Sequence, residues 1–102
     1  MAWDTYLESF LAGVFLTNAV PHFVHGVSGD RFPTPFAKPR GKGLSSPQLN
    51  VVWALINVLV GILVFRGGGV SPSNVLATAF FAAGVITMSF RLSVALARKH
   101  RD

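Results

Sequence analysis

The side chains best suited to chemistry are histidines and asparagines within long apolar stretches. Asn18, His22 and His25 follow one another at intervals of four and three residues, so on a helix they share one face. Imidazole can bind a metal ion or carry a proton near neutral pH, and an amide both donates and accepts hydrogen bonds. The pattern therefore predicts a polar or ligand-binding face.

The elements that carry these residues have the composition of a membrane protein. Of 102 residues, 51% are hydrophobic and 13% are charged, against about 25% charged in soluble domains. A helix of about 20 residues crosses a hydrocarbon core of about 30 Å. The sequence therefore predicts an all-α membrane protein, a single domain over 1–102, with transmembrane helices at about 6–24, 49–65 and 73–97. The absence of cysteine excludes a disulfide framework and a thiolate metal site.

The basic residues predict the orientation. Arg31, Lys38, Arg40 and Lys42 lie in the Pro/Gly-rich segment 26–46 between the first two spans, and a basic tail occupies 98–102, whereas the other connection carries only Arg66. Positive charge is enriched in cytoplasmic loops. We therefore expect a cytoplasmic loop and C-terminus, and an N-terminus outside.

Depth arithmetic groups the polar residues into a layer on the loop side. At about 1.5 Å per residue, His22 and Asn50 fall at the same level on antiparallel helices, and Pro21 frees a backbone carbonyl beside His22. We expect His22 to face the second helix within reach of Asn50 or Asn18. The candidate polar or ligand layer comprises Asn18, His22, His25, Asn50, Asn57, Thr87 and Arg91.

Small residues predict how the helices pack. One stripe of the second helix comprises Asn50, Ala54, Asn57 and Gly61. A stripe of the third helix comprises Ala79, Ala83, Thr87 and Arg91. Such stripes let backbones approach closely. The stripe of the third helix, and the need of Asn57 at mid-depth for a hydrogen-bond partner, favour a homo-oligomer. At the outer end, we expect Glu8 to pair with Arg66.

The loop offers two further candidates. Phe32 and Phe36 flank a Pro-Thr-Pro piece that is expected to be extended, with its rings on the membrane interface or on the bundle. Lys38, Arg40 and Lys42 are candidate contacts for anionic lipid head groups, although basic clusters beside spans commonly serve topology alone. Nucleic-acid binding is disfavoured because no base-stacking platform accompanies these charges.

Residues 18–50 also resemble a known pattern. The segments NAVPHFVHG (18–26), FPTPF (32–36) and LSSP (44–47) are similar to those of a group of small bacterial integral membrane proteins to which no activity is assigned. The resemblance implies a location in the bacterial inner membrane.

These observations favour a structural or accessory membrane subunit without catalytic activity or cofactor, in contact with lipid and assembled as a homo-oligomer or within a larger membrane complex. The alternatives are an oligomeric channel or transporter that uses the Asn18, His22 and Asn50 layer, and a metal-binding protein built on His22 and His25 with a third ligand from elsewhere. An enzyme is disfavoured because the four acidic residues are dispersed, at positions 4, 8, 30 and 102.

Overall fold

The computed structural model describes residues 2–36 and 43–101 as three long helices. Helix α1 spans Ala2–Val27, α2 spans Pro47–Gly68 and α3 spans Val75–Arg101. Each contains a stretch long and apolar enough to cross a membrane, Trp3–Val27, Pro47–Gly68 and Val75–Ala97. In the described residues, β pairing is limited to two isolated bridges. The predicted all-α membrane fold is confirmed.

The helices extend beyond several of the approximate bounds predicted for the spans. α1 continues to Val27, so Gly26, predicted to open the loop, is helical and buried against Val51 and the Pro47 carbonyl. α3 continues to Arg101, so most of the predicted basic tail prolongs this helix. Residues 38, 40 and 42, the proposed lipid contacts, lie outside the described residues.

Local capping chemistry sets both ends of α2 and the start of α3. The Ser46 hydroxyl accepts a hydrogen bond from the Leu49 amide at 3.1 Å, and Pro47 occupies the first turn. α2 ends before Gly69, whose φ of 66° is left-handed. α3 begins at Val75 and not at 73, because the Asn74 side chain accepts from the Ala77 amide at 3.1 Å and takes the capping role.

α1 is the central helix, antiparallel to α2 and parallel to α3. Ser9 lies against Gly68 near one end of α2, and Gly26 lies against Pro47 at the other end. On α3, the ring of Phe80 stacks on Tyr6 with centroids 5.1 Å apart. α2 and α3 both pack on α1 and touch each other little, with an edge contact between Phe65 and Phe81. The buried apolar residues of the helices are all alanines.

The small-residue stripe of α3 does not face α1. Ala79 and Thr87 are exposed, and between residues 75 and 97 of this helix the buried residues are Ala77 and Gly84. The cause is a glycine crossing with α1: a Cβ at Gly84 would overlap the Phe10 carbonyl oxygen, and a Cβ at Gly13 would overlap the Phe81 carbonyl oxygen. This crossing turns the stripe of residues 79, 83 and 87 outward.

The predicted stripe of α2 is confirmed. Residues 50, 54, 57 and 61 are all buried, and Gly61 receives the side chain of Leu16 from α1. Asn50 and Asn57 thus face the central helix, which brings them to the polar residues of α1.

Candidate functional site

The centre of the loop-side polar layer is a hydrogen bond between α1 and α2. His22 Nδ1 lies 2.8 Å from Asn50 Oδ1. His22 is 5% exposed and Asn50 is fully buried. The antiparallel pairing of the helices therefore places these residues together, as the depth argument predicts.

Asn50 also anchors the loop to the bundle. Its Nδ2 donates to the carbonyl oxygens of Phe32 at 2.9 Å, Ser45 at 3.3 Å and Ser46 at 3.0 Å. Phe32 and Ser45 are themselves paired by two backbone hydrogen bonds of 3.2 and 2.9 Å. One buried amide thus fixes both the segment that follows α1 and the segment that leads into α2.

This network fixes the direction of the bond to His22. The Asn50 nitrogen is committed to carbonyl oxygens, which only accept, so its oxygen must face the imidazole. His22 Nδ1 therefore donates. In a neutral ring the proton sits on Nδ1, and Nε2 keeps a free lone pair.

A second bond joins the same two helices one turn deeper. Asn18 Nδ2 donates to Asn57 Oδ1 at 3.0 Å, and Asn57 Nδ2 donates to the Trp53 carbonyl at 2.8 Å. Asn57 is 2% exposed. Its amide is therefore satisfied within the chain, which removes one of the two reasons for predicting an oligomer.

His25 and His22 do not face a common position at which both could bind one metal ion. Its Nδ1 lies 3.3 Å from Asp30 Oδ2, and its ring stacks on Phe32 with centroids 4.1 Å apart. The Phe32 ring also meets the His22 ring edge-on at 5.4 Å. Within residues 2–36 and 43–101, no group of three His, Cys, Asp or Glu side chains could hold a metal ion.

The loop folds onto the bundle through two hydroxyls that the sequence did not indicate and through the ring of Phe36, for which the bundle was one of the two expected positions. The hydroxyls of Thr34 and Ser45, both buried, are 2.6 Å apart. The Phe36 amide donates to Thr34 Oγ1 at 3.2 Å, and the Phe36 ring meets Trp53 edge-on at 5.1 Å. One local signal exists: Thr34 lies between two prolines, which have no N–H, so its hydroxyl is the available group for closing the turn.

A groove of about 360 Å³ opens where the loop meets the three helices. Its walls include Asn18 and His22 of α1, Trp53 of α2, Thr34 of the loop and Arg91 of α3. Trp53 Nε1 is enclosed and has no hydrogen-bond partner among the described residues. Arg91 joins the layer through this groove, whereas Thr87 is exposed and does not line it, so its predicted place in the layer is wrong.

The predicted outer pair does not form. The Glu8 carboxylate lies against Gly67, and Arg66 is exposed. The ion pair found in the part of the chain that the structure describes is His25–Asp30. Ser9, which the sequence did not single out, is fully buried at this end and donates to the Thr5 carbonyl at 2.8 Å, with the Gly68 carbonyl at 3.2 Å.

Comparison with known proteins adds no relative. No family model, curated protein or solved structure matches the chain. Functional inference therefore depends on the geometry alone.

Proposed function

We propose that this small membrane protein is a structural or accessory membrane subunit without catalytic activity of its own. The observation that carries the proposal is the use of the interior amides. Asn18, Asn50 and Asn57 bond to each other, to His22 and to backbone carbonyls. Hydrogen bonds of this kind specify the register of the helices and hold the loop in place. A conducting path through the layer would require these bonds to open.

Two substitutions of His22 test the structural role. Gln can donate and accept, so we expect His22→Gln to keep most of the thermal stability, whereas His22→Leu leaves Asn50 Oδ1 unpaired and should cost about 1–3 kcal/mol. The measurement is thermal unfolding in detergent, with and without Zn²⁺. Stabilisation by Zn²⁺ that His22→Gln abolishes would favour the metal-binding alternative and count against this proposal.

The proposed location is the bacterial inner membrane, with the N-terminus outside and the loop and C-terminus in the cytoplasm. Arg91 of α3 lies at the same groove as Thr34 of the loop, so the basic loop and the basic end of α3 share one end of the bundle. Cytoplasmic enrichment of Lys and Arg supports this orientation. Reporter fusions at the two termini should report opposite sides, and activity of both on one side would contradict it.

We further propose a homo-oligomer formed through α3 in the lipid bilayer. The outward stripe of Ala79, Ala83 and Thr87 allows close approach of a second helix. Leu at both 79 and 83 should lower the oligomer fraction measured by mass in mild detergent. Leu59→Phe, on the exposed face of α2, is the control. An unchanged mass in the double variant, or a monomeric wild type, would contradict the proposal.

A further inference from the structure

The groove between the loop and the helices carries a specific set of hydrogen-bonding groups. Arg91 lines it with a permanent positive charge, and Trp53, whose indole N–H has no partner among the described residues, forms another wall. His22 lines the same groove, and its Nδ1 is committed to Asn50, so Nε2 is its free acceptor. The walls therefore offer a cationic donor for an anion, Arg91, and one acceptor for a hydroxyl, His22 Nε2.

These groups lie just below one membrane interface. α1 has 26 residues and α3 has 27, which makes them about 40 Å long against a hydrocarbon core of about 30 Å. Arg91 lies about 9 Å inside the end of the span Val75–Ala97. Trp53 lies at a similar distance inside Pro47. Both therefore lie in the loop-side third of their spans, below the head groups, and the long Arg91 side chain can extend from this depth to the boundary between head groups and hydrocarbon.

An apolar groove adjoins this site on the other side of Leu92. It has a volume of about 710 Å³ and runs between α1 and α3, with Val20, Val24 and Leu96 among its walls. Leu92 lines both grooves. A charged, hydrogen-bonding groove that adjoins an apolar one across a single side chain has the chemistry of a phospholipid, whose head and acyl chain are covalently joined.

We propose that this pair of grooves binds one anionic phospholipid whose head group is a phosphodiester that also carries hydroxyls, as in phosphatidylglycerol. Arg91 donates to the phosphate oxygens. A head-group hydroxyl donates to His22 Nε2, which a zwitterionic choline head group cannot do. The acyl chain lies along the apolar groove against Leu92. The proposal makes no use of Lys38, Arg40 and Lys42, which lie outside the described residues.

The test is native mass spectrometry of the purified protein with equal amounts of phosphatidylglycerol and phosphatidylcholine that have identical acyl chains. We expect the wild type to retain one phosphatidylglycerol selectively. Arg91→Gln should lower this selectivity by about fivefold, the effect of one basic residue near a membrane surface, and Arg91→Lys should retain part of it.

Arg66→Gln is the matched control, because Arg66 is an exposed arginine at the opposite end of the bundle. Equal loss in Arg66→Gln and Arg91→Gln, or equal retention of the two lipids by the wild type, would overturn the proposal. A third arm adds inorganic phosphate. Displacement of the lipid by millimolar phosphate would show that the groove recognises the free anion and would overturn the lipid assignment. Unchanged thermal unfolding of Arg91→Gln establishes that any loss of binding is not a loss of fold.

Discussion

The two sides of the central helix are built on different principles. Toward α2, α1 presents Asn18 and His22, each hydrogen-bonded to a buried amide of the partner helix. Toward α3, it presents Gly13, which meets Gly84 at a close backbone crossing. Lipid tails are as apolar as leucine, so helices in a membrane gain little from hydrophobic contact with each other. Each interface therefore needs its own source of specificity, polar bonds on one side and close backbone contact on the other.

The difference extends to how firmly each outer helix is held. α2 is tied to α1 at several levels and to the loop through Asn50. α3 is the least buried of the spans: 11% of its most apolar stretch is buried, against 28% for α1. Grooves flank the loop-side half of α3. We infer that α1, α2 and the loop form the more stable unit, and that α3 is the helix most dependent on its glycine crossing.

Loss of the Asn50 amide should have the largest effect. Asn50→Leu removes the donor to three carbonyl oxygens and the acceptor for His22. Because buried groups left unpaired cost about 1–3 kcal/mol, we expect a destabilisation of about 3 kcal/mol with release of the loop. Thermal unfolding in detergent measures the first effect, and protease sensitivity of the loop measures the second.

The control for this substitution is Gln48→Leu, at an exposed position of the same helix. Its effect should be within about 0.5 kcal/mol of zero, as for surface changes in general. If Asn50→Leu were equally mild, the polar side of α1 would not depend on its hydrogen bonds.

The glycine crossing should be the next most sensitive feature. A side chain at Gly84 meets the backbone of Phe10, which cannot move aside as a flexible side chain could. We expect Gly84→Val to cost about 2 kcal/mol and to loosen α3 while the α1–α2 bonds persist. Hydrogen exchange of α1, α2 and α3 distinguishes this local effect from global unfolding.

Ala82→Val is the matched control, two residues away on the same helix, exposed and outside the stripe proposed for the oligomer. A loss of stability equal to that of Gly84→Val would mean that β-branching in α3, and not the crossing, is responsible.

Contrasting outcomes for α2 and α3 show what the sequence can specify. On α2, the polar and small residues 50, 54, 57 and 61 form one stripe within an otherwise bulky apolar helix, so the buried face was predictable. α3 carries small residues on more than one face, at 77, 79, 83 and 84. Periodicity cannot choose among them, because the choice depends on where Gly13 of α1 meets the helix.

The loop was predictable in outline only. Its prolines and glycines exclude a helix, and Asn50 was assigned to the polar layer from its depth. Its pairing of Thr34 with Ser45, and the burial of Phe32 against two histidines, are contacts between segments distant in sequence. Such contacts carry no local pattern, so the groove formed by Thr34, Trp53 and Arg91 could not be inferred before the structure.

A double-mutant cycle should give a smaller effect at the deeper bond. Asn18→Leu, Asn57→Leu and the double variant isolate the coupling of the bond at 3.0 Å. Interhelical hydrogen bonds in membranes average about 0.6 kcal/mol, because the unfolded chain also finds partners. We expect a coupling near this value from unfolding in detergent. A coupling near zero would mean that the bond only satisfies two amides in the membrane interior and adds no stability.

The smallest effect should come from Ser9, the buried hydroxyl at the outer end of the same interface. Its one proton is shared between the Thr5 carbonyl of its own helix, at 2.8 Å, and the Gly68 carbonyl of α2, at 3.2 Å. The shorter bond is local, so little of its energy joins the helices. Ser9→Ala keeps the small volume that Gly68 requires, and we expect it to cost at most about 0.6 kcal/mol in unfolding measurements. A loss comparable to that of Asn50→Leu would show that hydrogen bonding holds α2 equally at both ends. It would then contradict the assignment of the stable polar contact to the loop side.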